Sequence, residues 1–339
     1  MINVNVIHQL DRALFVQHCS APVIGGCINL YENSSLDVVW DVVVVFEGLR
    51  TEVSVRVRDG GLVFISGEPA ESSVYVANFI KQFDVVYSVH HEAKYSRTWI
   101  NKQYFNDWHF GLDYTTRKHR YSFSELLEME VPEKTHDISI ITSSLNILPQ
   151  HLKRIQFLDQ IKVHFGDKID YFGRGHNFVA DKAEALCKYR FHICIENCSV
   201  DNLWTEKIAD PLLAFCAPIY SGCSNISSYF PAKSYLSLNL DDVNGSINLI
   251  SNVLSKSSEI YREMLPYVIE ARGLVVNNYN ICTEILEIYN RLDLGCKSPV
   301  LRKIVPNEYH SAHRILNGSL RFRRLVFRTI FKFKNLLLP

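Results

Sequence analysis

A short segment, Tyr189–Pro231, concentrates side chains that can bind a phosphorylated ligand. An apolar run, Phe191–Ile195, is followed by a polar stretch, Glu196–Asn202, and then by Thr205–Lys207 at the start of a second apolar run. A strand, a polar loop and a helix start in this order place backbone N–H groups and the positive end of a helix dipole at one spot, which suits a phosphate. Lys207 would add a full positive charge beside a leaving diphosphate.

The neighbouring polar residues have ordinary interpretations as well. Glu206 can accept hydrogen bonds from the hydroxyls of a ribose or a hexose, but a Glu-Lys pair on a helix is commonly a solvated surface pair. Asn197 or Asp201 can equally be a plain helix cap. The order of the whole segment, rather than any one residue, favours the functional interpretation.

The elements that must position these residues follow from hydrophobic periodicity. Apolar runs without alternation are typical of parallel strands that are buried on both faces. Such runs are Val42–Val45, Leu62–Ile65, Val85–Val89, Ile138–Ile141, Phe191–Ile195 and Pro218–Tyr220. Between them, Ser73–Gln82 and Gln150–Val163 read as amphipathic helices. This alternation predicts a doubly wound α/β fold.

The least regular region, Phe110–Asp137, separates one α/β series from the next, and we predict a domain boundary near Pro132–Thr135. The predicted domains are residues 1–135 and 136–300, each with the α/β alternation of a doubly wound fold, and they face a cleft. A nucleotide-bearing ligand would bind in that cleft, outside the carboxyl ends of the strands. Residues 301–339 form a separate basic tail.

The tail has no acidic residue from Tyr309 to its end. On a helix, its apolar residues would form one stripe, which consists of Phe322, Val326, Ile330, Phe333 and Leu337. A basic stripe lies beside it and consists of Arg321, Arg324, Arg328 and Lys332. This pattern is typical of an interfacial helix attracted to anionic lipid. The alternative is a terminal helix that docks on its own domain with a solvated basic face.

Composition narrows the classes of protein. The 339 residues are 47% hydrophobic and carry 36 basic and 36 acidic side chains, so we expect a folded protein with no global preference for nucleic acid. The nine cysteines contain no CxxC pair, which predicts reduced thiols rather than a zinc site. The amino terminus lacks the pattern of a signal peptide, so we expect a cytoplasmic protein, peripheral on the inner face of the membrane through its tail.

The central segment resembles glycosyltransferase family 10, the α-1,3/1,4-fucosyltransferases, and most closely their bacterial members. The family pattern appears as Tyr189-Arg190-Phe191, Glu196-Asn197, Thr205-Glu206-Lys207, Pro218-Ile219-Tyr220, Gly222 and Phe230-Pro231. The resemblance implies that Asn197, Thr205, Glu206 and Lys207 bind the sugar donor. It also implies the GT-B type of fold, in which both domains are Rossmann-like, the carboxyl-terminal domain binds the donor and the amino-terminal domain binds the acceptor.

Three further positions resemble the family more faintly. Arg154 begins the segment Arg154–Leu158, which is similar to a helix whose arginine binds the donor diphosphate, a task that suits the guanidinium fork. Arg174 lies in a similar Gly-Arg turn. Glu68, in Phe64–Pro69, matches the family's proposed general base, which would take the proton from the attacking acceptor hydroxyl. Arg154 can also be a surface residue, and Glu68 can simply begin a turn.

The resemblance implies an inverting transfer of fucose from GDP-fucose to a glycan hydroxyl, on a cell-surface polysaccharide or a lipid-linked oligosaccharide. Protein cations would neutralise the diphosphate, so we expect neither a cofactor nor a catalytic metal. The chain departs from the pattern at Leu203, where the family carries tyrosine, and this puts the identity of the sugar in doubt.

Three alternatives stay open at this point. The first is a GT-B glycosyltransferase that uses another nucleotide sugar. The second is a non-catalytic carbohydrate-binding or scaffold protein, and the third is a membrane- or nucleic-acid-binding module that acts through the tail. Thermal shifts with nucleotides, donor hydrolysis and salt-dependent binding to vesicles or RNA would separate them.

Overall fold

The computed structural model describes residues 1–10, 13–15, 17, 28–70, 72–90, 98–103, 107–142, 149–173 and 177–336. The chain divides into two compact units. Unit 1 comprises Met1–Ala13, His18–Phe105 and Asn280–Pro339, and unit 2 comprises Leu14–Gln17 and Asn106–Tyr279.

The strands in these ranges are β1 (Ile2–Ile7), β2 (Ile28–Glu32), β3 (Val39–Trp40), β4 (Val42–Phe46), β5 (Val53–Arg58), β6 (Leu62–Ile65), β7 (Val85–Tyr87), β8 (Thr98–Ile100), β9 (His136–Ile141), β10 (Asp170–Phe172), β11 (Tyr189–Ile195), β12 (Ala217–Ser221), β13 (Leu236–Ser237) and β14 (Pro299–Ile304). The helices are α1 (Ala77–Ile80), α2 (Phe123–Glu128), α3 (Pro149–Phe165), α4 (Glu206–Leu213), α5 (Val243–Ser255), α6 (Ser257–Asn277), α7 (Ile281–Arg291) and α8 (Ser311–Leu336).

Unit 1 is built on a six-stranded parallel sheet of order β2-β1-β4-β6-β7-β8. Every residue of β4, β6 and β7 is buried, which explains their continuous apolar sequences. A smaller sheet, β14-β5-β3, covers part of this core, and β14 pairs antiparallel with β5 from Pro299 opposite Arg58 to Ile304 opposite Val53.

Unit 2 is built on a five-stranded parallel sheet of order β10-β9-β11-β12-β13. Its central strand, β11, has six buried residues out of seven. The core of unit 2 also takes up Trp108, Phe110 and Phe123, which pack with β9, β11 and helices α3, α4 and α6.

The predicted α/β class is confirmed, and each of the six predicted strands is present in a parallel sheet. The predicted helix Gln150–Val163 corresponds to α3 (Pro149–Phe165). The prediction of a helix over Ser73–Gln82 is correct only for Ala77–Ile80, because the preceding turn is held by loop contacts, such as the hydrogen bond from the Asn307 amide to the Val74 carbonyl.

The unit bounds differ from the predicted domains 1–135, 136–300 and 301–339. Residues 107–135 belong to unit 2, because their aromatic side chains complete its core. Residues after Tyr279 belong to unit 1, because β14 extends the small sheet there. A polar stretch in the sequence marks a loop, but only the packing of its few large side chains decides which core it joins.

Helix α8 packs on unit 1 through one face and exposes another. His313 is buried, and Asn317, Leu320 and Arg324 are half-buried, with Arg324 donating a 2.7 Å hydrogen bond to the Ser72 carbonyl. The predicted apolar stripe lies elsewhere on the helix: Phe322, Val326 and Ile330 are 65%, 39% and 54% exposed. The side chains of Arg328, Lys332, Phe333 and Leu337 lie outside the described residues. No helix in the described ranges is both long and apolar enough to cross a membrane.

The prediction of reduced cysteines is wrong for Cys282, which is disulfide-bonded. Six others, Cys187, Cys194, Cys198, Cys216, Cys223 and Cys296, are free. The fold, not the spacing along the chain, brings a disulfide pair together, and the sequence around Cys282 carries no signal of it.

Candidate active site

The carboxyl end of β11 presents a buried carboxylate, Glu196, whose side chain is 2% exposed. Its two oxygens accept hydrogen bonds from the amide (2.9 Å) and the hydroxyl (2.7 Å) of Thr205. Burial raises the pKa of Glu196, and the nearby Lys207 opposes this rise. Glu196 therefore ties the end of the strand to the start of α4.

Gly222 explains why the family pattern has a glycine after β12. A Cβ atom at this position would lie 2.3 Å from Cγ of Glu196 and 2.5 Å from the hydroxyl of Tyr220. Only a residue without a side chain leaves room for the Glu196 carboxylate to reach Thr205.

Thr205 is the N-cap of α4, and its hydroxyl accepts a hydrogen bond from the Lys207 amide at 3.3 Å. Since the same hydroxyl donates to Glu196, both its donor and an acceptor position are engaged in hydrogen bonds within the protein. Pro211 lies inside this helix, which ends two residues later at Leu213, as expected for a short segment. Thr205, predicted to bind the donor, thus has a visible role in positioning Glu206 and Lys207.

The loop between β11 and α4 is held by a reciprocal pair of amides. Asn202 and Asn225 exchange hydrogen bonds of 2.8 Å, and the Tyr229 hydroxyl donates to the same Asn202 oxygen. Trp204 is fully buried against Phe230, with ring centroids 5.0 Å apart. These contacts explain why the aromatic residues near Phe230 accompany the helix start in the sequence.

Arg154, on α3, reaches the same loop. Its side chain is almost fully buried, with the residue 7% exposed, and its Nη1 donates to Oδ1 of Asn197 at 2.8 Å. Its buried Nε has no hydrogen-bond partner among the described residues. Burial lowers the pKa of Arg154, and Glu196 opposes this shift. A buried guanidinium whose hydrogen bond within the described residues goes to a neutral amide has the chemistry to bind an anion.

Lys207 and Glu206 lie side by side on the first turn of α4. The Lys207 ammonium is 3.3 Å from Glu206 Oε1 and 3.6 Å from Glu196 Oε2. Burial alone would lower the pKa of Lys207, but the two carboxylates outweigh it and raise that pKa. For Glu206, burial favours the neutral acid, but Lys207 and Lys182 outweigh it and lower its pKa. Both side chains are therefore charged at neutral pH.

Lys182 is a cation that the sequence analysis missed. Its ammonium lies 2.7 Å from Asp210 Oδ2 and 3.8 Å from Glu206 Oε1. The other oxygen of Asp210 accepts hydrogen bonds from the amides of His109 (2.9 Å) and Phe110 (3.1 Å). Asp210 lies four residues after Glu206 and so on the same face of α4. This spacing is the one local signal that could have identified Asp210 as part of the site.

A cavity of about 610 Å³ in unit 2 brings these groups together. Arg154, Lys182, Glu206, Lys207 and Asp210 line it. His109 also lines it, as do Tyr114 and Arg117, which lie in the irregular stretch Phe110–Asp137 where the sequence predicts a domain boundary. The volume lies within the usual range for sites of small molecules and cofactors.

Glu68 lies in unit 1, three residues after the end of β6, and is half-buried. Its backbone carbonyl accepts a 2.8 Å hydrogen bond from Nε2 of His90. A Cβ atom at the preceding Gly67 would lie 2.1 Å from Oε1 of Glu47, so the Glu47 carboxylate packs against Gly67. Two carboxylates thus stand at the carboxyl end of the sheet, which is the end where ligands of parallel α/β sheets bind.

A second cavity, of about 620 Å³, also lies in unit 1. Its lining includes His8, Asn33, Trp40 and Arg50, from the segments that follow β1, β2 and β4 and from β3. The His8 imidazole is 3.0 Å from a Glu32 carboxylate oxygen. Mixed polar and aromatic walls of this kind suit a hydroxyl-rich ligand.

Three predicted features remain to be placed. Arg174 lies outside the described residues. Leu203 is buried, at 2% exposure, and is not among the residues that line the 610 Å³ cavity. Across the described residues, no group of three or more His, Cys, Asp or Glu side chains could hold a metal ion. The absence of a catalytic metal stays a prediction.

Residues 131–269 match the family model described as glycosyltransferase family 10 (fucosyltransferase) C-term. A putative fucosyltransferase-like protein of Arabidopsis thaliana is 36% identical over 69 residues, 20% of this chain and 14% of that protein. The alpha-(1,3)-fucosyltransferase FucT of Helicobacter pylori is 36% identical over 64 residues, 19% of this chain and 13% of its own. The matched regions therefore span a small part of these relatives.

Solved structures agree on the fold. A crystal structure of alpha1,3-fucosyltransferase with GDP has a TM-score of 0.51 and 17% identity, covering 88% of this chain and 92% of that one. A further crystal structure of alpha1,3-fucosyltransferase has a TM-score of 0.52 and 18% identity, covering 88% and 91%. The fold is the predicted GT-B type of α/β fold. Residues 131–269, which carry Arg154, Lys182 and Lys207, match the family 10 model, and the resemblance predicted from the sequence is confirmed.

Proposed function

We propose that this protein is an inverting glycosyltransferase that moves fucose from GDP-fucose to a hydroxyl of a glycan. One observation carries the proposal: Arg154 is buried on the wall of the 610 Å³ cavity with an unpartnered Nε, near Lys207 at a helix start. A diphosphate supplies the anionic oxygens that this guanidinium lacks. An alpha1,3-fucosyltransferase with this fold has been crystallised with GDP, which supports the choice of nucleotide.

In this proposal Arg154, Lys207 and the amino terminus of α4 neutralise the diphosphate as it leaves. Asn197 orients the arginine, and Glu206 accepts hydrogen bonds from donor hydroxyls. Glu68 removes the proton from the acceptor hydroxyl, which attacks the anomeric carbon in a single displacement that inverts it. Arg174 stays a candidate for donor binding, and neither a cofactor nor a metal is required.

The test is incubation with GDP-fucose and with other GDP- and UDP-sugars, with and without candidate glycans, scoring nucleotide release. We expect GDP release from GDP-fucose that increases with acceptor, and NMR of the product should show the inverted anomeric configuration. Glu68→Gln should lose transfer while retaining GDP binding, whereas Arg154→Met and Lys207→Met should weaken GDP binding. Absence of GDP binding in the wild type would exclude the proposal.

The second candidate is a transferase that uses a different GDP-sugar. It is favoured by Leu203, since this buried apolar side chain cannot make the polar contact of the family tyrosine. Faster release of GDP from another sugar donor than from GDP-fucose would select it.

We further propose that α8 holds the protein peripherally on an anionic membrane. Phe322, Leu325 and Ile330 are exposed on this helix, and Arg321 and Arg323 are exposed beside them. Since the face that packs on unit 1 is a different one, the apolar stripe is available to lipid. Such attachment would bring the enzyme to a lipid-linked acceptor, and a cytoplasmic location stays a prediction.

A further inference from the structure

His192, in the middle of β11, borders the donor cavity although no motif singles it out. The residue is 5% exposed. Glu196, which directly follows β11, lies four residues further along the chain, or about 13 Å at 3.3 Å per residue. His192 therefore borders the cavity from the middle of the strand, whereas Glu196 contacts the start of α4 beyond the strand's carboxyl end.

The hydrogen bonds of Ser139 fix which ring nitrogen of His192 carries the proton. The Ser139 hydroxyl oxygen is 2.7 Å from the carbonyl oxygen of Ala185 and 2.7 Å from Nδ1 of His192. A carbonyl can only accept, so the one hydroxyl proton points to Ala185. Ser139 must then accept a hydrogen bond from Nδ1–H of His192, which leaves the lone pair of the neutral ring on Nε2.

The ring stays neutral because burial, with a smaller effect of Lys182, lowers the pKa of His192 to about 3. Nε2 is therefore an acceptor at neutral pH. Within the described chain Nε2 has no hydrogen-bond partner. A ligand in the cavity would have to offer this nitrogen an N–H or an O–H.

Besides Lys182, whose charge acts on His192, the cavity has apolar walls. Ile140, Leu158, Leu186 and Phe178 line the same cavity, and Phe178 is 64% exposed. An exposed aromatic ring and aliphatic side chains suit the faces of a planar heterocycle, whereas a diphosphate or a hexose would leave its polar groups unsatisfied there.

We propose that Nε2 of His192 accepts a hydrogen bond from a ring N–H of the donor's nucleobase, namely N1–H of guanine, and so selects the base. The inference rests on the proposed function, since it places a nucleotide sugar in this cavity. His192 would read the base, while Arg154 and Lys207 bind the diphosphate.

The test measures binding of GDP, N1-methyl-GDP and inorganic pyrophosphate by calorimetry. His192→Phe, which cannot accept, should weaken GDP about tenfold, the worth of one buried hydrogen bond, and leave pyrophosphate unchanged. N1-methyl-GDP should bind weakly to the wild type and lose nothing further in His192→Phe. His192→Gln, whose amide oxygen accepts, should recover most of the GDP affinity. Ser139→Ala, which allows the proton to move to Nε2, should cost GDP a few-fold without changing the packing of the ring.

Unchanged GDP affinity in His192→Phe, or equal losses for GDP and pyrophosphate, would overturn the inference. So would a loss for N1-methyl-GDP as large as that for GDP. A wild-type protein that binds GDP and N1-methyl-GDP equally well overturns the assignment of the base alone. A wild-type protein that does not bind GDP overturns the proposed function as well, so the two failures are distinguishable.

Discussion

Arg154 and Asn197 are 43 residues apart in sequence, and their side chains meet over a 2.8 Å hydrogen bond from Nη1 to Oδ1. The amide holds the guanidinium without neutralising it, because no carboxylate of the described chain forms an ion pair with Arg154. The pair thus keeps a buried positive charge oriented for an anion.

Arg154→Met should reduce kcat/KM for the donor by roughly 10- to 150-fold, since a hydrogen bond to a charged group contributes about 1.5–3 kcal/mol. Stability should stay the same or rise, because the substitution removes a buried charge without a counter-ion. Urea unfolding and donor kinetics measure both. The matched control is Lys153→Met, whose half-exposed ammonium pairs with Asp241 on the surface, and it should change neither quantity appreciably. Activity retained with a large loss of stability would make Arg154 a structural residue.

Gly222→Ala should destabilise unit 2 by about 1–3 kcal/mol or more, because the new methyl group meets Glu196 at 2.3 Å and must displace it from Thr205. The free energy of unfolding in urea measures this loss, and GDP affinity should fall with it. Gly273→Ala in α6 is the control: no atom lies within 4 Å of its added Cβ, so it should stabilise by up to about 1 kcal/mol. Equal effects of the two substitutions would contradict the packing argument.

Lys182→Met should destabilise the protein by about 3–5 kcal/mol, since it leaves the Asp210 carboxylate, 1% exposed, without its cation. Asp210→Asn keeps an oxygen for the amides of His109 and Phe110. The double variant should therefore be more stable than Lys182→Met alone. A double-mutant cycle of unfolding free energies measures the coupling, and additive losses would show that the two side chains act independently.

The free energy of unfolding should decrease as the pH is lowered below 6.5, and His192 should account for part of this decrease. The pKa of this residue is lowered from 6.5 to about 3 in the folded state, so below pH 6.5 the unfolded chain binds a proton that the folded protein does not. Stability is complete above pH 6.5 and decreases by about 1.4 kcal/mol per pH unit toward pH 3. The difference in unfolding free energy between wild type and His192→Gln should therefore change by about 2 kcal/mol from pH 6.5 to pH 5. Parallel pH curves for the two proteins would show that the imidazole is not buried neutral.

Phe322→Glu should weaken binding to anionic vesicles at least tenfold, because burial of a phenyl ring contributes about 1.5–3 kcal/mol and the new charge is repelled. Co-sedimentation with phosphatidylserine vesicles, repeated at higher salt, measures it. Val163→Glu is the control, since Val163 is 89% exposed on α3 in unit 2. Similar losses in both variants would indicate a general effect of charge rather than attachment through α8.

The short-range parts of the structure could be predicted from the sequence. The continuous apolar runs of β4, β6 and β11 predict strands that are buried on both faces. The polar residues before Ile208 mark the start of α4. Such signals depend on neighbours only a few residues apart, so a single sequence contains them. The assignment of Asn197, Glu206 and Lys207 to one site depended on the family pattern as well.

Only the tertiary structure decided how distant residues are paired. Lys182 meets Asp210, 28 residues away, and Ser139 meets His192, 53 residues away, because parallel strands and the segments that cover them align these positions. The return of β14 to β5 likewise depends on strand pairing. The sequence by itself determined the strands, the helix start and their candidate chemistry. Burial, charge pairing and the tautomer of His192 required the fold, since each depends on which groups exclude water from one another.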